Sequence, residues 1–90
     1  AISGTVVWSE LERTSSLVAD AGAVTALRTG AVTGVATDLM APKDASRLTL
    51  VGAGAQARDQ VLAVNTVRPL TSVCVVGRDL GRAAALASVL

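Results

Sequence analysis

The spacing of apolar positions changes several times along this chain, and each change predicts an element. Residues 2–8 are rich in β-branched and aromatic types (Ile2, Thr5, Val6, Val7, Trp8) and predict a strand. The polar run 9–14 turns the chain, and 16–19 is expected to return and pair with the first strand. A lone hairpin cannot bury both of its faces, so it is expected to belong to a larger sheet. Asp20 is a good helix N-cap. Beyond it Val24, Leu27, Ala31, Val35 and Leu39 recur at helical spacing, a stripe expected to face a core. Gly30 and Gly34 stand one turn apart in the same helix. Each costs about 1 kcal/mol relative to alanine in a helix interior, so another backbone or a ligand is expected to pass close by. Pro42 ends the helix, and 42–46 is a linker.

The pattern then becomes strand, turn, helix, strand. Residues 48–51 are a short apolar run ending at Gly52, and 55–67 are helical, with Ala57, Val61 and Val64 inward and Pro69 just past the end. Residues 73–76 form a second strand, parallel to the first if the crossover takes its usual right-handed form. Asp79 can cap a further helix running to Leu90. The fold class is therefore α/β: part of a Rossmann-type nucleotide-binding domain, preceded by a β-hairpin and a linking helix. The expected division is 1–20 for the strands of a preceding domain, 21–46 for the linking helix and linker, and 47–90 for the first half of the nucleotide-binding domain.

The turn between strand and helix carries the chemistry. Gly52-Ala53-Gly54-Ala55-Gln56-Ala57 has the spacing Gly-x-Gly-x-x-Ala, a form of the dinucleotide-binding fingerprint. Gly52 can take angles closed to other residues, Gly54 lets a pyrophosphate lie against the main chain, and Ala57 lets helix and strand pack closely. The helix start then offers N–H groups and its dipole to the phosphates. The alternative is a glycine turn in an α/β domain that binds nothing. In the NAD form, an acidic residue at the end of the second strand binds the ribose hydroxyls. Here that strand ends Gly77-Arg78-Asp79. Glycine at the acidic position removes a negative charge, and the Arg78 fork can hold a phosphate, which favours NADP(H) over NAD(H). Arg78 could equally be an exposed loop residue and Asp79 a plain N-cap; Arg82, one turn on, could assist or be solvated.

Composition narrows the classes. Ninety residues are enough for one small domain but not for a complete dinucleotide-dependent enzyme, so the chain is read as part of a longer one. The net charge of +1 and the single aromatic residue, Trp8, give no support to nucleic-acid binding. With no histidine there is no histidine-based triad or zinc cluster in these residues. Cys74, the lone cysteine, sits in a predicted strand and is expected to be a small core residue. Arg28 and Asp38 argue against a membrane span in the long apolar helix, and a cytoplasmic location is the default expectation.

Two stretches together resemble the ornithine cyclodeaminase and mu-crystallin family. Thr25-Ala26-Leu27-Arg28-Thr29-Gly30-Ala31 is similar to the family's "T-A-x-R-T-x-A" helix, and Gly52-Ala53-Gly54-Ala55-Gln56-Ala57 to its "G-x-G-x-Q-A" turn. The hairpin fits the strands before that helix, so the resemblance covers nearly the whole chain. It implies a Rossmann domain joined to a domain that forms a homodimer and holds the substrate. It also implies hydride transfer between a nicotinamide and the α-carbon of a small-molecule amino acid or imino acid. Activities in the family include ornithine cyclodeamination, alanine dehydrogenation, and reduction of cyclic ketimines or pyrroline carboxylates. By motif, Arg28 matches an arginine beside the cofactor and the substrate carboxylate, and Thr29 a threonine at the cofactor phosphates. Ala55 and Gln56 match turn residues against the pyrophosphate, and Gly77, Arg78 and Asp79 match the stretch that selects between the cofactors. Arg28 could instead be a surface residue with a packed stem, and Gln56 an ordinary first-turn residue. The resemblance places the family's catalytic lysine and a second substrate arginine before these residues and its proton-transferring aspartate after them. No catalytic acid or base is therefore named within the chain, which alone is expected to be inactive.

The leading expectation is an NAD(P)-dependent oxidoreductase or cyclodeaminase in which these residues bind the cofactor. A non-catalytic NADP(H)-binding module of the mu-crystallin type is the alternative. An adenosyl-dependent methyltransferase is a third reading, weakened by the Arg28-Thr29 helix, for which that class has no need.

Overall fold

The computed structural model describes residues 3–12 and 14–90. The elements run β1 (Thr5–Ser9), β2 (Ser16–Asp20), α1 (Ala21–Met40), β3 (Arg47–Val51), α2 (Ala57–Val67), β4 (Ser72–Val76) and α3 (Leu80–Val89).

β1 and β2 form an antiparallel hairpin, with Thr5 opposite Asp20 and Ser9 opposite Ser16. The expected strand start at Ile2 lies outside the described residues, as does Arg13 in the turn. Val7, Trp8, Leu17 and Val18 are all exposed, so neither face of the hairpin is covered. Asp20 closes β2 and caps α1 at once: its Oδ2 accepts the Ala23 N–H at 2.9 Å. The Ala21 N–H donates to the Gly4 carbonyl at 2.9 Å, tying the helix start to the chain entering β1. No residue separates β2 from α1.

α1 packs on α2 through its glycines. A Cβ at Gly30 would stand 3.0 Å from the carbonyl oxygen of Asp59, and one at Gly34 3.4 Å from both Cβ and O of Ala63. The close passage expected beside these glycines is therefore that of another helix backbone. The stripe expected to face a core does not do so: Leu27, Val35 and Leu39 are exposed. Two helices approach most closely where side chains are absent, so the glycine face makes the contact. The stripe instead flanks an apolar groove of ≈ 500 Å³ between α1 and α2.

β3 and β4 pair in parallel, Leu48 opposite Val73 and Val51 opposite Val76, as the strand–helix–strand reading expects. Leu48, Leu50, Val73 and Val75 are half-buried, and Val73 shares a cleft with Val61 of α2 and Val89 of α3. Ala57, Val61 and Val64 of α2 and Ala83 of α3 are the buried apolar residues. The alternate positions of the strands are exposed, and Cys74 is among them rather than in a core. Parallel sheets are ordinarily covered on both faces, and only one layer is present among the described residues.

α2 starts at Ala57, two residues later than expected. Ala55 and Gln56 belong to the turn, which closes when the Ala57 N–H donates to the Gly54 carbonyl at 3.1 Å. The residue after α2, Arg68, is buried at 4% exposure despite its charge. Its Nε donates to the Pro42 carbonyl, Nη1 to Asp38 Oδ1 and the Val67 carbonyl, and Nη2 to the carbonyls of Asp38 and Ala41.

Candidate functional site

The carboxyl ends of β3 and β4 lie side by side, and each runs straight into a glycine. The Gly52 N–H donates to the Val76 carbonyl, so the two exits are held together by one more rung of the ladder. Gly52 has φ +102°, the only positive φ among the described residues. A side chain there would be strained, which is why glycine turns the chain away from the strand. At Gly54 a Cβ would meet nothing within 4 Å. The space beside its main chain is open, as a diphosphate lying against the amides requires.

Gly52, Gly54, Gly77, Arg78, Asp79 and Arg82 line a cleft of ≈ 160 Å³ at this end of the sheet. A Cβ at Gly77 would stand 4.0 Å from Ala53 Cβ, an ordinary contact, which places the second strand's exit directly beside the first turn. Open α/β sheets bind ligands at this location, outside the carboxyl ends of their strands. Asp79 Oδ1 accepts the Arg82 N–H at 3.2 Å and so caps α3. The side chains of Arg78 and Arg82 make no hydrogen bond or ion pair with the described residues. Guanidinium groups are the side chains whose planar fork pairs with carboxylate or phosphate, and two of them line this cleft.

The expected site residues fall into three places. Gly52, Gly54, Gly77, Arg78 and Asp79 come together in the cleft. Ala55 and Gln56 are exposed in the turn at the start of α2, and Gln56 is its N-cap residue without a side-chain capping bond. Arg28 and Thr29 are exposed on α1 and do not line the cleft. They neighbour Gly30, which rests on Asp59 in the first turn of α2. This puts them at the same end of α2 as the glycine turn. Arg82 takes a full part in the cleft wall, more than its sequence position one turn into a helix suggested. Among the described residues no cluster of His, Cys, Asp or Glu could hold a metal ion.

Comparison with known proteins agrees with this geometry. The sequence model of the ornithine cyclodeaminase/mu-crystallin family matches residues 5–90. The chain belongs to that family. It is 48% identical over 58 residues to an L-lysine cyclodeaminase of Streptomyces rapamycinicus, covering 64% of this chain and 17% of the relative. It is 40% identical over 75 residues to an uncharacterized cyclodeaminase of Sinorhizobium fredii, covering 83% of this chain and 23% of the relative. Among solved structures it is similar to the Thermococcus litoralis Δ1-pyrroline-2-carboxylate reductase in complex with NADH and L-proline. That match has a TM-score of 0.84 and 33% identity, over 93% of this chain and 26% of the reductase. The chain thus spans about a quarter or less of the length of these relatives. The family match and this structural neighbour establish the strand–turn–helix–strand unit as Rossmann-type, with the hairpin and α1 ahead of it.

Proposed function

We propose that this chain supplies the nicotinamide-nucleotide site of an oxidoreductase or cyclodeaminase that works on an amino acid or cyclic imino acid. The observation that carries the reading is the cleft at the strand exits. It has a left-handed Gly52, an unobstructed main chain at Gly54, and Arg78 and Arg82 on its wall.

When bound, a nicotinamide cofactor supplies or accepts hydride at the substrate α-carbon. The residues of this chain do the holding. Gly52 and Gly54 leave the main chain bare to a diphosphate, and the positive end of α2 faces it. Gly77 leaves room at the ribose, and Arg78, with Arg82 beside it, offers a planar fork to a 2′-phosphate, favouring NADP(H) over NAD(H). Arg28, on the adjacent α1, is suited to a substrate carboxylate or the cofactor phosphates, and Thr29 to those phosphates. Asp79, the one carboxylate lining the cleft, is engaged as a helix cap. The described residues therefore bind and orient, while proton transfer falls to groups outside them. In this reading the hairpin belongs to a substrate-holding, dimer-forming domain, residues 21–46 link it to the nucleotide unit, and the protein works in the cytoplasm as a homodimer.

Titration of the chain with NADPH and NADH, followed by the enhancement of nicotinamide fluorescence, tests the proposal. NADPH is expected to bind about tenfold more tightly, a difference near 1.4 kcal/mol. Equal or reversed affinities overturn the role of Arg78, and binding of neither nucleotide overturns the nicotinamide site.

A further inference from the structure

Arg68 spends its whole guanidinium inside the protein. An arginine has five N–H donors, and all five are used here at distances of 2.8 to 3.0 Å. Four of the bonds reach the end of α1 and the turn after it, at Asp38, Ala41 and Pro42; the fifth returns to Val67. The last carbonyls of a helix lack partners within it, and this end of the dipole is negative. A cation with a rigid fork is the side chain best suited to hold such an end. No donor remains for a ligand.

Arg68 follows directly on α2, so these bonds fasten the far end of α2 to the far end of α1. At the other end of the crossing Gly30 lies on Asp59, in the first turn of α2. The pair of helices is thus fixed at both ends: by direct backbone approach beside Arg28 and Thr29, and by Arg68 where the helices finish. Rotation of α1 about the glycine contact would carry Arg28 and Thr29 away from the glycine turn. The Arg68 bonds resist that rotation. We propose that Arg68 is a positioning residue for the nucleotide site, setting Arg28 and Thr29 against the start of α2 through the orientation of α1. The inference rests on the nucleotide-binding reading above.

The test pairs nucleotide affinity with hydrogen exchange on the chain and its variants, at a temperature where every variant is folded. In Arg68→Ala, protection of the α1 amides beyond Gly30 is expected to fall at least about tenfold while that of β3 and β4 holds. NADPH affinity is expected to fall roughly tenfold with it. Arg68→Lys keeps the charge but has three donors in place of five, and should fall between the wild type and Arg68→Ala in both measurements. Val64→Ala serves as a control. It removes buried volume from α2 without touching the clasp and should lower the melting temperature with affinity held within about twofold. If Arg68→Ala fails to fold, Arg68→Lys and Asp38→Ala carry the same comparison.

Unchanged α1 protection in these variants overturns the clasp. Lost protection with wild-type affinity overturns positioning and leaves the nucleotide site intact. An equal loss of affinity in Val64→Ala reduces the effect to general destabilisation and overturns positioning too. A wild-type chain that binds neither nucleotide overturns the nicotinamide reading, and the positioning role with it, whatever the exchange shows.

Discussion

Gly52 and Gly54 meet different requirements two residues apart. Gly52 turns the chain at φ +102°, and Gly54 leaves open space beside the main chain. Both roles follow from the absence of a side chain, which is why they could be read from the residues alone. Arg78 is the residue on which cofactor choice turns in the proposed function. Arg78→Ala is expected to weaken NADPH binding by about 1.5 to 3 kcal/mol, the range for hydrogen bonds to charged groups, and to leave NADH binding within about twofold. Parallel titrations of the two nucleotides against the variant measure both; an equal loss for each would assign Arg78 to the diphosphate instead. Arg68 shows what the residue scale hides. A charged residue between a helix end and a proline reads as a solvated one. Its burial depends on carbonyls at Asp38, Ala41 and Pro42, which the fold brings to it from far along the chain.

Among the elements, α1 was the hardest to read correctly. Its length and its Asp20 cap follow from local chemistry, and both are present. The choice of packed face does not. The apolar stripe and the glycine pair lie on adjoining faces, both bordering the groove against α2, and periodicity alone favours the stripe. Contact with α2 selects the glycines, because a Cβ at Gly30 would press on main-chain atoms of Asp59 at 3.0 and 3.3 Å. The overlap that Gly30→Ala would create is therefore expected to cost about 1 to 3 kcal/mol, for a net destabilisation of up to about 2 kcal/mol. The net figure allows for the roughly 1 kcal/mol that alanine contributes to a helix interior. Urea unfolding measures the difference, and a stabilised variant would show that the helices do not approach this closely. β3, α2 and β4 were easier to read. A short apolar run, two glycines, an amphipathic helix and a second apolar run fix the order, and the parallel register follows from the crossover.

At the scale of the molecule, the chain is thin and extended, 46 × 32 × 17 Å, with a radius of gyration of 16.0 Å. A compact domain of this length would have a radius of about 12 Å. The excess reflects the uncovered hairpin, the open face of the parallel pair and the groove between α1 and α2. Sequence patterns mark these as apolar but cannot say what lies against them, since that depends on contacts beyond the elements themselves. The chain is expected to bind a dye selective for exposed apolar surface. Leu39→Glu, at a position 80% exposed beside the groove, should lower that signal while changing the unfolding free energy by no more than about 0.5 kcal/mol. A large loss of stability instead would show that Leu39 is packed in solution. Trp8, the sole aromatic residue, is 53% exposed on the hairpin. Its fluorescence is expected to be that of a solvated indole, quenched readily by acrylamide; resistance to quenching would show that the hairpin is covered.

The junction at Asp20 leaves the chain no slack. The last paired residue of the hairpin is also the cap of the long helix, so a single inserted residue there could not be absorbed by a loop. It would have to shift the strand register or cost the helix its cap.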